Sequence, residues 1–444
     1  MGRERLAAAR RVRSVRGFQT GGGILEQLSY GAFSADLHMR QAGERVPLQV
    51  SIEVTRRCPL ECLHCYNNLP MADMEARQRE LSKEDHFKML DELVDMGCFW
   101  ILYTGGEIFA RKDFLEIYTY AKKKGFLITL FTNGTIINEQ IADYLVEWPP
   151  FAIEITLYGR TRETYEALTA IPGSYDRCLR GIELLRSRKL PLKLKTVATS
   201  VNKHEVLAMR EFAENLGVEF KTDGQINPRI DCSQSPLAVR LTPEEVVALD
   251  LYSPREVTEY RRLAKRDSES PANLTQVDTV YFCGGGMNSF AVNAYGEIGI
   301  CVISQQETFS VRESSVRQVW EESLARLRSR KRTQVTKCIE CRIQSLCGMC
   351  PANGELENGD RESPVEFLCH VAHLRAAAIG AEVPAHGECD FCSGGSEHAA
   401  LLESARRIAN KEIDVETWVG PQQILPILNN ASVAAGGCGS CGNH

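Results

Sequence analysis

Between residue 50 and about residue 223 the chain alternates between two hydrophobic patterns. Short runs rich in β-branched and aromatic residues occur at 50–54 (VSIEV), 99–104 (FWILYT), 126–132 (FLITLFT), 151–157 (FAIEITL), 192–198 (LKLKTVA) and 218–223 (VEFKTD). Between them, apolar residues recur at helical spacing. Ser82-Lys-Glu-Asp85 has the form of a capping box, and Phe87, Leu90, Leu93 and Val94 follow on one face. Residues 113–124, 139–147, 175–187 and 204–216 read the same way. Six strands alternating with helices predict an α/β fold with a parallel sheet. In such sheets functional sites form at the carboxyl ends of the strands.

Beyond about residue 240 the texture changes. Residues 241–268 are helical in pattern and charged, and 276–370 are rich in glycine and cysteine. Residues 289–292 and 297–301, joined by Asn293-Ala-Tyr-Gly296, predict a hairpin. Such a region has little core of its own and is expected to need metal to hold it. The expected division is a basic N-terminal segment (1–47), a barrel (48–240), a helical linker (241–275), a cysteine-rich domain (276–375) and a tail (376–444). The tail has a helical stretch at 399–412 and ends in AAGGCGSCGNH. No internal repeat is visible.

Composition narrows the classes. The chain has 444 residues and a net charge of −6, which gives no general electrostatic case for nucleic acid. No run approaches 18 consecutive apolar residues, so no membrane span is expected. The start, MGRERLAAARRVRSVRG, lacks the apolar stretch of a secretory signal, and Leu6 stands where a myristoylation pattern has Ser or Thr. Seventeen cysteines without an export signal point to a reducing, cytoplasmic setting, where clustered cysteines are metal ligands or catalytic. The isolated Cys98, Cys178 and Cys232 read as buried core residues.

Three cysteines follow the first strand at once, in Cys58-Pro-Leu-Glu-Cys62-Leu-His-Cys65-Tyr66. They are disulfide partners, zinc ligands or the corners of an iron–sulfur cluster. A structural zinc wants a fourth protein ligand, and His64, adjacent to Cys65, is poorly placed to join the same ion. A 4Fe–4S cubane has four irons to hold, so three thiolates leave one iron for another ligand. The spacing favours the cluster over zinc. Gly105-Gly106-Glu107 follows the second strand and Thr132-Asn133-Gly134 closes the third. These features converge on one mouth.

Cys58-x3-Cys62-x2-Cys65-Tyr66, with Gly105-Gly106-Glu107 in order behind it, resembles the radical SAM superfamily over roughly residues 48–235. The resemblance implies a partial (β/α)6 TIM-like barrel. It implies a 4Fe–4S cluster on Cys58, Cys62 and Cys65, whose fourth iron binds the amino and carboxylate groups of S-adenosylmethionine (SAM). One electron then splits SAM to a 5′-deoxyadenosyl radical that abstracts hydrogen from a substrate. Tyr66 corresponds to the aromatic beside the adenine, and the backbone of Gly105, Gly106 and Glu107 to the motif that receives the methionine amino group. Thr132, Asn133 and Thr156 are the other candidate cofactor contacts. Two departures stand out: Ile108 where proline is common, and Tyr158 before Gly159 where relatives often carry an acid.

A second set runs Cys283, then Gly296-x4-Cys301, then Cys338-x2-Cys341-x5-Cys347-x2-Cys350, then Cys369. It resembles the SPASM extension of radical SAM enzymes that modify peptides, except that the family has three residues where Cys347-x2-Cys350 has two. The resemblance implies one or two auxiliary 4Fe–4S clusters: one on Cys338, Cys341, Cys347 and Cys369, and another on Cys283, Cys301 and Cys350. Residues 269–282 supply no further cysteine to the latter, so an open iron, a non-cysteine ligand or a ligand from elsewhere is expected. Four-cysteine zinc knuckles are the alternative. Cys389-x2-Cys392 and Cys438-x2-Cys441 could together bind one zinc or a third cluster, donate the missing ligand, or form a redox-active tail.

The expected function is hydrogen abstraction from a peptide or protein, leading to a thioether or other crosslink, an oxidation or an epimerisation. A low-potential donor (flavodoxin or ferredoxin) would supply electrons. Residues 1–47 are too few for a peptide-recognition domain, so a separate recognition protein is expected. The alternatives are cofactor biosynthesis, of haem, tetrapyrrole or quinone type, and a non-catalytic metal-binding module. Glu154 and Lys195 lie on strands where alternation allows either to face the barrel interior.

Overall fold

In the computed structural model, residues 29–41, 43–269 and 278–420 are described. Two units are distinguished, 1–46 and 47–444. The first contains the helix Tyr30–Arg40, capped by the Ser29 side chain. The second contains the sheet and every cysteine.

All six expected strands form: β1 (Gln49–Glu53), β2 (Trp100–Thr104), β3 (Leu127–Thr132), β4 (Ala152–Thr156), β5 (Leu192–Val197) and β6 (Glu219–Asp223). They are parallel and adjacent in chain order, as right-handed βα repeats require. The cysteine-rich region extends this sheet. Its hairpin, β7 (Ser289–Val292) and β8 (Glu297–Gly299), joins in parallel through β7 to β1, and β9 (Phe309–Ser310) pairs with β8. The order is therefore β9-β8-β7-β1-β2-β3-β4-β5-β6, an open, partial barrel.

Register fixes the two faces, because paired residues on neighbouring strands point the same way. Val50, Ile101, Ile128, Leu130, Ile153, Ile155 and Leu194 share the outer face and are buried. The helices Lys83–Asp95, Phe114–Lys123, Glu139–Glu147, Ser174–Ser187 and Val206–Asn215 cover it with Leu90, Leu93, Ile117, Leu145, Ile182 and Met209. The capping box predicted at Ser82 and Asp85 is present. The opposite face carries Ser51, Leu102, Thr129, Phe131, Glu154, Thr156, Lys195 and Lys221.

The structure adds a helix at Arg162–Thr169 that the hydrophobic pattern does not mark. The charged stretch after residue 240 is two helices, Pro243–Leu251 and Pro254–Glu269. Helix Glu366–Ala378 packs on the first of these and on His398–Ala409. The segment expected to be a tail is thus part of the packed structure at least to that helix, with Leu401, Ala405 and Ile408 in the main core. Cys98, Cys178 and Cys232 are buried, as expected.

Candidate active site

The cysteine loop leaves the carboxyl end of β1 and is tied down along its length. Arg57 and Cys58 pair with Leu69 and Pro70, and the Arg57 guanidinium donates to Glu80 at 2.8 Å. From the segment after β6, Arg229 donates to the Cys65 carbonyl at 3.2 Å, the Asn68 side-chain oxygen at 3.0 Å and the Asn68 carbonyl at 2.9 Å. The Ile230 N–H donates to the Tyr66 carbonyl at 3.0 Å. The far edge of the sheet therefore holds the loop that starts beside β1. Nothing local in the sequence marks Arg229 for this task.

Behind the loop, Gly106 and Glu107 donate their N–H groups to the carbonyls of Thr55 (2.7 Å) and Arg57 (3.0 Å). Two backbones touch here, which explains the glycines. Gly105 has φ +137°, and a Cβ on Gly106 would lie 2.5 Å from the carbonyl oxygens of both Arg56 and Arg57. Gly106→Ala has no flexible neighbour to displace. It is expected to cost about 1–3 kcal/mol or more and to lower the iron held by the adjacent cysteines. Thermal melting and an iron count check this, and unchanged values would show that the loop tolerates the shift.

The carboxylate of Glu107 faces away from this contact. It is fully buried and accepts from Thr132 Oγ1 at 2.8 Å, the Asn133 N–H at 2.8 Å and the Phe109 N–H at 3.2 Å. Burial pushes its pKa up to about 7, with the three donors pulling the other way. Glu107 and Thr132 spend their side chains on each other, so the backbone is what this motif presents to a ligand.

Asn133 touches the cysteines directly, its Nδ2 donating to Cys58 Sγ at 3.4 Å. Tyr158 lies beside Cys62 and beside Thr156 at the end of β4. Tyr158 also packs against His64, with ring centroids 5.1 Å apart. Burial pulls His64 down to about 4, so its ring is neutral at ordinary pH. Tyr66 donates to Glu53 at 3.4 Å, and Asn67 Nδ2 reaches the same oxygen at 2.5 Å. Glu53 is itself buried and ion-paired to Arg56.

Hydrogen bonds donated to cluster sulfurs stabilise the more negative, reduced form. Asn133→Ala is accordingly expected to lower the reduction potential of a cluster on Cys58. Redox titration followed by electron paramagnetic resonance measures this; a potential equal to wild type would remove Asn133 from that role.

The triplet fits a cubane better than a single ion. Its three sulfurs feel one another electrostatically, and burial is the main cause that raises all three thiols above their ordinary range. Among the described residues, one group has ligand atoms all within 4.8 Å of one another, and Cys58, Cys62 and Cys65 are not in it. A cubane spreads its thiolates further apart than a tetrahedral ion does.

The barrel interior beside this mouth is polar. Glu154 is buried and accepts from Lys221 Nζ at 3.0 Å, with Lys195 Nζ at 3.6 Å from its other oxygen. Lys195 also sits over the Phe131 ring. Burial pulls its pKa down to about 8, and Glu154 opposes that shift. Strand parity puts all four side chains on the inner face.

In the cysteine-rich region, Cys338, Cys341, Cys347, Cys350 and Cys369 line one cavity of about 90 Å³. Cys283, Cys301 and Cys350 lie within electrostatic reach of one another, and Arg328, which donates to the Gly285 carbonyl at 3.3 Å, lies near Cys283. Cys350 thus neighbours members of both expected sets, Cys347 on one side and Cys283 and Cys301 on the other. The pair Cys389 and Cys392 meets two histidines, His373 and His386. Cys438 and Cys441 lie outside the described residues.

Fold and site together define an α/β-barrel enzyme that mounts its chemistry on a cysteine loop after the first strand. Residues 52–213 match the radical SAM superfamily. Those 162 of the 444 residues form a radical SAM domain, and they include the cysteine triplet and Gly105–Glu107. The chain is 26% identical over 365 residues to the AdoMet-dependent heme synthase of Oleidesulfovibrio alaskensis, covering 78% of this chain and 93% of that protein. It is 27% identical over 171 residues to the PqqA peptide cyclase of Granulibacter bethesdensis, covering 38% and 45%. Among solved structures, Streptococcus suis SuiB bound to precursor peptide SuiA has the same fold, with a TM-score of 0.56 at 16% identity over 83% of this chain and 86% of that one.

Proposed function

We propose that this radical SAM enzyme acts on a peptide or protein, removing hydrogen from a side chain that enters the polar interior of the barrel. When bound, the cluster and SAM supply a 5′-deoxyadenosyl radical. In this reading Cys58, Cys62 and Cys65 hold three irons and leave the fourth for SAM. The Gly105–Glu107 backbone, Tyr66 and Thr156 line the cofactor's place. Asn133 and Tyr158 lie beside the cysteine sulfurs, and Arg229 closes the loop against water. Cys338, Cys341, Cys347 and Cys369 hold an auxiliary cluster, with Cys283, Cys301 and Cys350 as a second set.

The observation that carries the substrate class is the inner face itself. Ser51, Thr129, Glu154, Thr156, Lys195 and Lys221 offer donors and acceptors that match peptide amides and acidic side chains. A flat apolar macrocycle would desolvate them without replacing their hydrogen bonds. The second reading, a tetrapyrrole substrate, is favoured by the length over which the heme synthase matches. There Lys195 and Lys221 would meet carboxylates on the ring's edge.

The test is anaerobic turnover of the reconstituted enzyme with SAM and a low-potential donor. One arm uses peptides encoded beside the gene, the other iron coproporphyrin III. 5′-Deoxyadenosine with a mass change in a peptide supports the first reading. A mass change in the porphyrin alone replaces it with the second.

A further inference from the structure

Two histidines and two cysteines outside the cluster sets come together at the wall of the cysteine-rich cavity, which His373 and His386 line. His373, His386, Cys389 and Cys392 are all buried, and one ligand atom from each lies within 4.8 Å of the others. His373 Nε2 is 3.5 Å from Cys389 Sγ and 3.4 Å from Cys392 Sγ. His386 Nδ1 is 3.3 Å from Cys392 Sγ. We propose that these four residues bind one structural zinc ion, a tetrahedral Cys2His2 site separate from the iron–sulfur sets.

Four observations support a single ion. The spacing is that of ligands around one centre. A two-iron cluster with mixed ligands segregates its histidines on one iron and its cysteines on the other. Here His373 touches both sulfurs, so no such division exists. The His373 Nδ1 lies 2.8 Å from the Cys369 carbonyl and donates its proton there. That bond sets the tautomer and leaves the Nε2 lone pair aimed at the sulfurs, as outer partners of metal-bound imidazoles do. The Cys389-x2-Cys392 turn is closed by its backbone, with the Cys392 N–H donating to the Cys389 carbonyl at 3.4 Å. His386 is held less firmly, since the Pro384 carbonyl lies 3.0 Å from the same Nδ1 and competes for it.

Charge balance suits the buried position. Zinc displaces the protons of two thiols, and two thiolates with two neutral imidazoles leave the site neutral. Its role follows from helix Glu366–Ala378, which carries Cys369 one turn before His373. The ion fastens residues 386–392 to that helix and so fixes the helix face from which Cys369 reaches its cavity.

Metal analysis of the full chain, reconstituted anaerobically, is the test. One zinc per chain is expected beside the iron. His386→Ala and Cys392→Ser should each lose the zinc and keep the wild-type iron count. X-ray absorption at the zinc edge should show two sulfurs at about 2.3 Å and two nitrogens at about 2.0–2.1 Å. This wild-type spectrum decides even if a variant fails to fold. Absence of zinc overturns the proposal. So does a four-sulfur shell, which would implicate Cys438 and Cys441, and so does a loss of iron in either variant. None of these readouts depends on the substrate reading.

Discussion

Replacing Cys58, Cys62 and Cys65 together by alanine removes about four irons per chain and abolishes SAM cleavage, while the iron held farther along the chain stays. The loop is bound by contacts that do not need the thiols: Arg229 to the Cys65 carbonyl and to Asn68, Arg57 to Glu80, and the glycine backbone to Thr55 and Arg57. The variant is therefore expected to fold, which makes the iron count interpretable. Iron and sulfide analysis after anaerobic reconstitution, with 5′-deoxyadenosine measured beside it, decides the matter. An unchanged iron count would mean that the triplet holds no cluster.

Glu107→Ala is the second large effect. Its carboxylate accepts at once from the Thr132 hydroxyl and from the Asn133 and Phe109 N–H groups. Truncation strands donors in a site with no exposure, at about 1–3 kcal/mol each. A loss of about 3 kcal/mol or more is expected in denaturant unfolding. Asn133 should shift with it and weaken its contact to Cys58, so SAM-dependent activity should fall as well. Glu107→Gln keeps the volume but turns an amide N–H2 toward donors, so it should recover only part of the loss. Wild-type stability in Glu107→Ala would mean that water replaces the carboxylate.

The strands were legible because their inner and outer faces both leave a mark: Val50, Ile128 and Leu194 alternate with Ser51, Thr129 and Lys195. The helix Arg162–Thr169 was not, since only Tyr165 and Leu168 of its eight residues are apolar and buried apart from its threonines. The cysteine loop and the glycines behind it were readable because their chemistry is local in sequence. Arg229, Asn67 and Tyr158 do not stand out as partners of that loop, because what they touch is set by packing across the sheet. His373 is hidden in a largely apolar helix that also carries His370, where a histidine reads as core. Only folding reveals that it faces a cysteine pair whose expected partners were the cysteines at 438 and 441.

The pairing of β7 with β1 has a practical reach. β1 delivers the cysteine loop, and it lies between β2 and β7 with a ladder on each side. A protein cut after residue 240 would keep every residue of the triplet yet turn β1 into a bare edge, with Gln49, Val50, Ser51 and Ile52 offering unpaired amides to any strand nearby. Such a fragment should aggregate rather than yield a minimal catalyst. The border drawn at 240 by composition is therefore no place for scissors. Evolution could exchange the segments beyond the hairpin more easily than the hairpin itself.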